Sequence, residues 1–360
     1  MDEHIKIGFW GHVRKHRTLI LSIAGVLLVA GITTGVFFLT YHKPVQVKPP
    51  VVVKTVAKPA PVVKYYSPLT GLEVADKAAT SQPVTAVMIE NSPDARPQSG
   101  LKDSGVVFEA IAEGGITRFM VLYQQEKPAL LGPVRSIRIY DAEWVAPFNA
   151  SVAHVGGSAA GLAEIRDGTY RDIDQFFNSA SYYRSNDRYA PHNVYTTSAL
   201  LDALNAKDGY STSVFTGFSR VDGKPVDTPT ASNINITISS ALYNSSYIYD
   251  KTTNTYARSQ AGAPHLDRES GQITPSVVIA MHVEESTVFQ DGNREQITTI
   301  GSGPATIFQN GTAIDAIWHK TAKAAQITFT DAKTGADVPL VRGQTWIAAV
   351  PNNGGGVSWQ

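Results

Sequence analysis

Residues 19–41 contain no charged side chain. A helix needs about 20 apolar residues to cross the hydrocarbon core of a bilayer. The run is therefore read as a transmembrane helix. Lys6, His12, Arg14, Lys15, His16 and Arg17 precede it, which sets the N-terminus in the cytoplasm by the positive-inside rule. Trp10 and Tyr41 lie near its two ends, where aromatic side chains favour the interface. A cleaved signal peptide is the rival reading. Its apolar core would be shorter, about 7–15 residues, and no Ala-x-Ala site closes this run. Residues 42–64, HKPVQVKPPVVVKTVAKPAPVVK, combine Pro, Val and spaced Lys in an extended, polyproline-like tether. The expected order is a basic cytoplasmic segment (1–18), a membrane helix (19–41), a linker (42–64) and an exported part.

The exported part has two textures. From 65 to 225, apolar runs at 84–89 (VTAVMI), 106–111, 117–123 and 151–155 predict strands. Segments 140–148, 159–166 and 198–207 predict helices between and after them, an α/β arrangement. From 226 to 360 the pattern is β-rich. Residues 233–239 (NINITIS) alternate, and 247–249 and 255–258 flank a polar turn as a hairpin. Further strands are predicted at 277–283, 296–300, 306–309, 314–320, 325–329 and 345–350. The fold class is α+β: a mixed α/β N-terminal domain and a mainly antiparallel β C-terminal domain, preceded by one transmembrane helix.

Composition adds two constraints. The 360 residues carry a formal net charge of +0, so no bulk charge calls for nucleic acid. There is no cysteine, so the exported part has neither disulfides nor a lipidated N-terminal Cys.

Five segments are more polar than strands and turns require: IENSPDARPQSGL (89–101), EGGITRF (113–119), GPVRSIR (132–138), HVGGS (154–158) and APHNVY (190–195). In this order they resemble the signature blocks of the YerB-like family, bacterial membrane-associated proteins of unknown function. GQTWIAAVP (343–351) resembles the end of that family's second domain. The resemblance covers about residues 65–355. Many members look like lipoproteins with a lipidated Cys, whereas this chain has a helix instead. The resemblance implies a fold and a place outside the membrane, and no reaction.

Within these blocks Arg96, Arg118, Arg135 and Arg138, with Arg188 just ahead of the last, are suited to grip phosphate or carboxylate. His154, His192 and Asn193 can add hydrogen bonds, and Glu113, like Glu109, can neutralise arginines. The expected role is non-catalytic binding of an anionic cell-envelope ligand, such as a glycan or a phosphate-bearing polymer, by a membrane-held protein. The alternative for each arginine is a structural ion pair with Glu109, Glu113, Asp103 or Asp187. Two other functions stay open: an envelope enzyme acting on a phosphorylated glycan or lipid-linked substrate, and a protein-interaction module. Gly156-Gly-Ser158 approaches a nucleophile elbow, but Ala160 stands where the second Gly belongs. No metal-ligand spacing occurs and no cofactor is expected. Asp172 and Asp174 read as a helix cap, His265 and His319 as surface residues. Tyr243, Tyr247, Tyr249, Tyr256, Trp318, Trp346 and Trp359 read as a carbohydrate platform or as core.

Overall fold

The computed structural model describes residues 13, 14, 16–41, 46–48, 63–288 and 294–360. Trp10, much of the basic N-terminal segment and most of the 42–64 linker lie outside the described residues. Helix α1 spans Arg17–Thr40, with all its side chains exposed. It is long and apolar enough to cross a membrane. Its hydroxyls are spent internally: Ser22 Oγ donates to Thr18 O at 2.8 Å, Thr34 Oγ1 to Ala30 O at 2.7 Å and Thr40 Oγ1 to Val36 O at 2.6 Å. That removes the cost of an unpaired donor in hydrocarbon.

The part from Val62 to Gln360 forms a unit of its own. Its strands are β1 (Thr85–Glu90), β2 (Val106–Glu113), β3 (Ile116–Tyr123), β4 (Ser151–Ala153), β5 (Arg171–Asp172), β6 (Asn233–Thr237), β7 (Ser245–Asp250), β8 (Thr255–Gln260), β9 (Ala263–Pro264), β10 (Val277–Val283), β11 (Glu285–Val288), β12 (Arg294–Ile297), β13 (Gly301–Gln309), β14 (Thr312–Lys320), β15 (Thr328–Asp331), β16 (Thr345–Pro351) and β17 (Gly356–Trp359). Short two-residue pairs complete the count. Helices α2 (Ile139–Val145), α3 (Ala159–Ile165) and α4 (Ser198–Lys207) punctuate the first half.

Among the described residues, twelve strands form one sheet in the order β15-β14-β13-β10-β16-β2-β3-β1-β4-β5, with the β11–β12 hairpin attached to β2. Strands β1, β2, β10 and β16 are continuous apolar runs because both their faces are covered. One face packs Ile279, Ile347, Met88 and Met120 under Tyr140 and Trp144 of α2. The other packs Val87, Val121 and Trp346 under Leu201 and Leu204 of α4. The second sheet, β9-β8-β7-β6-β17, alternates buried and exposed residues. Its inner residues Ile234, Ile236, Tyr247 and Tyr256 lie on Val278, Phe308 and Ala348. Sheet-on-sheet burial explains that alternation.

The α+β reading holds, as do nearly all the predicted strands and the three helices. One feature differs from the expected picture, and one open alternative falls to the core reading. Strand β16 pairs parallel with both β10 and β2, so the large sheet runs without a break through segments 65–225 and 226–360. The tyrosines and tryptophans read as a possible platform are mostly core: Tyr247, Tyr256, Trp318 and Trp346 are buried.

Between the sheets lies a polar circuit closed on itself. Arg258 Nη2 and Trp346 Nε1 donate to Glu109 Oε2 at 2.8 and 2.9 Å. Thr117 Oγ1 donates to Glu109 Oε1 at 3.2 Å and accepts from Asn91 Nδ2 at 2.6 Å. Gln98 Nε2 donates to Asn91 Oδ1 at 2.9 Å, and His265 Nε2 donates to Gln98 Oε1 at 3.0 Å. Arg258 closes the ring by donating to His265 Nδ1. His265 is thus interior rather than surface; burial, then Arg258, hold its pKa well below the ordinary value. Arg258 is fully buried, 4.4 Å from the Trp346 ring. Removing one partner of a buried pair strands the other charge. Arg258→Met should therefore cost about 3–5 kcal/mol of stability, read by urea unfolding of the detergent-solubilised chain. A loss below about 1 kcal/mol would show that the pair carries no such load.

Candidate functional site

Strands β1, β2, β4, β10 and β16 run in one direction, so their carboxyl ends share one edge of the sheet. The five polar segments gather there. Segment 91–98 leaves the end of β1. The β2–β3 turn, Gly114-Gly115 with φ of 58° and 75°, is a two-residue hairpin that needs two positive φ values. Segment 132–138 lies against the end of β1, with Arg135 N donating to Met88 O at 2.9 Å, and Val155 N donates to Arg135 O at 3.0 Å. Carboxyl ends of parallel strands are where open α/β sheets form crevices.

The nine candidate residues separate into clusters at this edge. Glu113 is clamped by two arginines: Arg118 Nη2 lies 3.3 Å from Oε1, Arg138 Nε donates to Oε2 at 3.0 Å, and Arg138 Nη2 contacts the same oxygen. Arg118 Nη1 also donates to Ser136 O at 3.1 Å. Burial alone would raise the Glu113 carboxyl, but Arg118 and Arg138 outweigh it and hold the pKa below 4.5. Arg138 heads α2, where its N–H donates to Asp141 Oδ2 at 2.8 Å. This matches the ion-pair alternative, with Glu113 as the shared partner.

His154 is fully buried between Nδ1···Gly156 O at 2.8 Å and Nε2···Asp172 Oδ1 at 2.9 Å. Asp174 accepts from Gly156 N and from Arg166. Asp172 and Asp174 thus hold His154, Arg166 and a loop; no helix begins there for them to cap. Ser158 is the N-cap of α3, accepting from Gly161 N at 3.0 Å, which occupies its oxygen. Arg96 donates to Asn91 O at 2.9 Å and Leu242 O at 2.8 Å and lies over Tyr243. Arg188 donates to Asp94 O at 2.9 Å and Pro97 O at 2.6 Å. Asn193 accepts from Arg184 at 2.7 Å and donates to Ser185 O at 3.1 Å.

Arg135 and His192 are different. Both rest on Glu90, whose side chain is 4% exposed: Arg135 Nε lies 3.3 Å and His192 Nδ1 3.0 Å from Oε2. Neither contact of Arg135 and Glu90 Oε2 has hydrogen-bond geometry. Among the described residues, the guanidinium of Arg135 makes no hydrogen bond. Ser92 Oγ donates to Glu90 Oε1 at 3.1 Å and lies 3.2 Å from His192 Nδ1. Nδ1 thus faces two oxygens, and Nε2 lies 4.0 Å from Asp94 Oδ2. Arg135 and His192 are each 23% exposed on the side-chain scale. Glu90 and Ser92, which hold them, were not singled out from the sequence. The signal for Glu90 was a charge closing a wholly apolar strand.

Comparison with known proteins bears on the family and the fold. Residues 69–211 match the N-terminal domain, and residues 234–347 the C-terminal domain, of the proteins of unknown function DUF3048. The chain is 31% identical over 301 residues to a Bacillus subtilis (strain 168) protein named as a lipoprotein, YerB, covering 82% of this chain and 89% of that one. The crystal structure of YerB from Bacillus subtilis superposes with a TM-score of 0.73 at 28% identity, over 82% of this chain and all of that chain. This chain belongs to the DUF3048 family, to which the YerB-like resemblance pointed. The lipoprotein name of the relative and the apolar helix α1 both support membrane association.

The Glu113 clamp has a pH signature. A carboxyl with a depressed folded pKa stabilises fully above its unfolded value, 4.5, and loses that contribution as pH falls through the folded value. Glu113 is about one-third exposed, so screening reduces the buried-pair figure to about 1–3 kcal/mol. Glu113→Gln should lower stability by that amount at pH 7, and the gap to the parent should close below about pH 4.5. A gap that stayed constant down to pH 3 would show that Glu113 does not carry the clamp.

Proposed function

We propose that this is a single-pass membrane protein, N-terminus in the cytoplasm and residues 65–360 outside. There it binds an anionic group of a cell-envelope ligand between Arg135 and His192, without chemistry of its own. The observation that carries the reading is the uncommitted guanidinium of Arg135. Four of the five candidate arginines spend their donors on a carboxylate or on backbone carbonyls; Arg135 keeps its outer nitrogens free at the carboxyl edge of the sheet. Arginine is suited to two-point contact with phosphate or carboxylate. Glu90 holds Arg135 and His192 from beneath and leaves their far sides to solvent. Arg96, Glu113, Arg118, Arg138, His154, Arg188 and Asn193 then shape and stiffen the loops around the pair. Pre-ordered donors lose less entropy on binding. The zero net charge fits a local site better than a broad basic surface.

Titration calorimetry with inorganic phosphate tests the reading. Arg135→Met should weaken binding by about tenfold or more, roughly 1.4 kcal/mol, in protein that still unfolds in one cooperative transition. His192→Ala should weaken binding less than Arg135→Met does. Parent protein that binds no anion, or Arg135→Met binding as well as the parent, would sink the reading.

A further inference from the structure

Two loops fastened by backbone hydrogen bonds to Arg135 and His192 carry aromatic rings that the fold does not use. From residue 63 onward, three described aromatic side chains are more than half exposed: Phe176 at 68%, Phe177 at 73% and Tyr189 at 92%. Tyr189 opens the turn that ends at His192, whose N–H donates to Tyr189 O at 2.9 Å. Phe176 lies over Gly156, next to Val155, whose N–H donates to Arg135 O at 3.0 Å.

The seat of Phe176 is specific. Gly156 has φ of 60°, and a Cβ there would lie 3.2 Å from Cε2 of the ring. A side chain at 156 would be both strained and in the way. The glycine lets the ring rest against backbone, backed on one side and open to solvent on the other. Phe177 is backed by the Arg166 guanidinium, 5.1 Å from its ring. Most large rings of the exported part are interior, Tyr140, Trp144, Tyr247, Tyr256 and Trp346 among them. Phe176 and Tyr189, left in water on the loops fastened to Arg135 and His192, are apolar faces available next to an anion anchor.

We infer that the ligand is an anionic glycan: its phosphate or carboxylate sits on Arg135 and His192, and its sugar rings lie on Phe176 and Tyr189. This rests on the anion-binding reading above. An apolar ring face matches the C–H face of a pyranose, and a rigid ring with two rotatable bonds is ordered at small entropic cost. A free inorganic anion would leave these rings without a role, and a hydrocarbon tail would call for a closed apolar channel rather than exposed rings.

Titration calorimetry on the detergent-solubilised full chain separates the two layers of the argument, with inorganic phosphate, glucose 1-phosphate and a uronic-acid trisaccharide as probes. The parent should bind at least one of the sugar probes about tenfold more tightly than inorganic phosphate, and which one identifies the anion. Phe176→Ala and Tyr189→Ala should each reduce that advantage about threefold to tenfold while leaving inorganic phosphate unchanged. Both substitutions are at exposed rings, so unfolding temperature should not move. Arg135→Met should weaken all three probes. Equal binding of phosphate and both sugars, or aromatic variants that keep the full advantage, overturns the glycan assignment and leaves the anion site standing. Loss of inorganic phosphate binding in the aromatic variants also overturns it, because the rings would then be supporting the anion anchor. Absence of binding by every probe removes the anion site and the glycan together.

Discussion

Glu109 and Arg258 place two opposite charges where no water reaches them, and much of the exported part is arranged so that this is tolerable. Taking two ions out of water costs several kcal/mol each, and their attraction repays it only when the remaining donors and acceptors are also met. Here they are. Each nitrogen of the Arg258 guanidinium has an acceptor: Tyr247 OH, Gln260 Oε1 with His265 Nδ1, and Glu109 Oε2. Both Glu109 oxygens have donors. The pair joins β8 of the second sheet to β2 of the first, 149 positions apart in the chain. Apolar contact alone would let two sheets slide; a closed ring of directional bonds admits one register.

That ring also reaches the candidate site. Gln98, which accepts from His265, donates through Nε2 to Glu90 O at 3.0 Å and to Asn91 Oδ1. Segment 91–98 is therefore fastened at the buried circuit at one end and at β1 at the other. Glu90 and Ser92, which carry His192 and face Arg135, sit on that fastened backbone. The geometry of two surface donors is thus set by a buried ion pair contributed from the other half of the chain. The continuous sheet therefore matters for the candidate site: neither half by itself contains the whole support.

Much of this was legible in advance. Unbroken apolar runs marked strands covered on both faces, and NINITIS marked a strand covered on one. Arg258 could have been read too. In TYARSQ the inward positions are Tyr256, Arg258 and Gln260, so the alternation itself puts a charge in the interior. Glu109, in the middle of VVFEAI, carries the same signal. What spacing could not reveal was that the two answer each other, since a pairing across two sheets leaves no periodic trace. His265 was read as surface because a lone histidine beside a turn usually is. The arginines looked alike as residue types, and their separation into clamps and one open guanidinium depends on distances of an ångström or less.

The distinction among those arginines follows from where each carboxylate sits. Glu113 presents both oxygens to Arg118 and Arg138, and two cations on one carboxylate leave that cluster with an excess positive charge but with its terminal guanidinium nitrogens paired. Glu90 lies deeper and is partly satisfied by Ser92, so it faces Arg135 without aligned hydrogen bonds. A buried carboxylate in that position does two opposing things. It keeps Arg135 and His192 oriented, and it weakens the field of Arg135 toward any incoming anion. An anion must gain enough from the outer nitrogens of Arg135 to offset Glu90 beneath them. Under the proposed anion-binding reading, a site so poised binds weakly to a bare ion. It discriminates best when neighbouring contacts add to the anchor, and the exposed rings of Phe176 and Tyr189 stand where such contacts would be made.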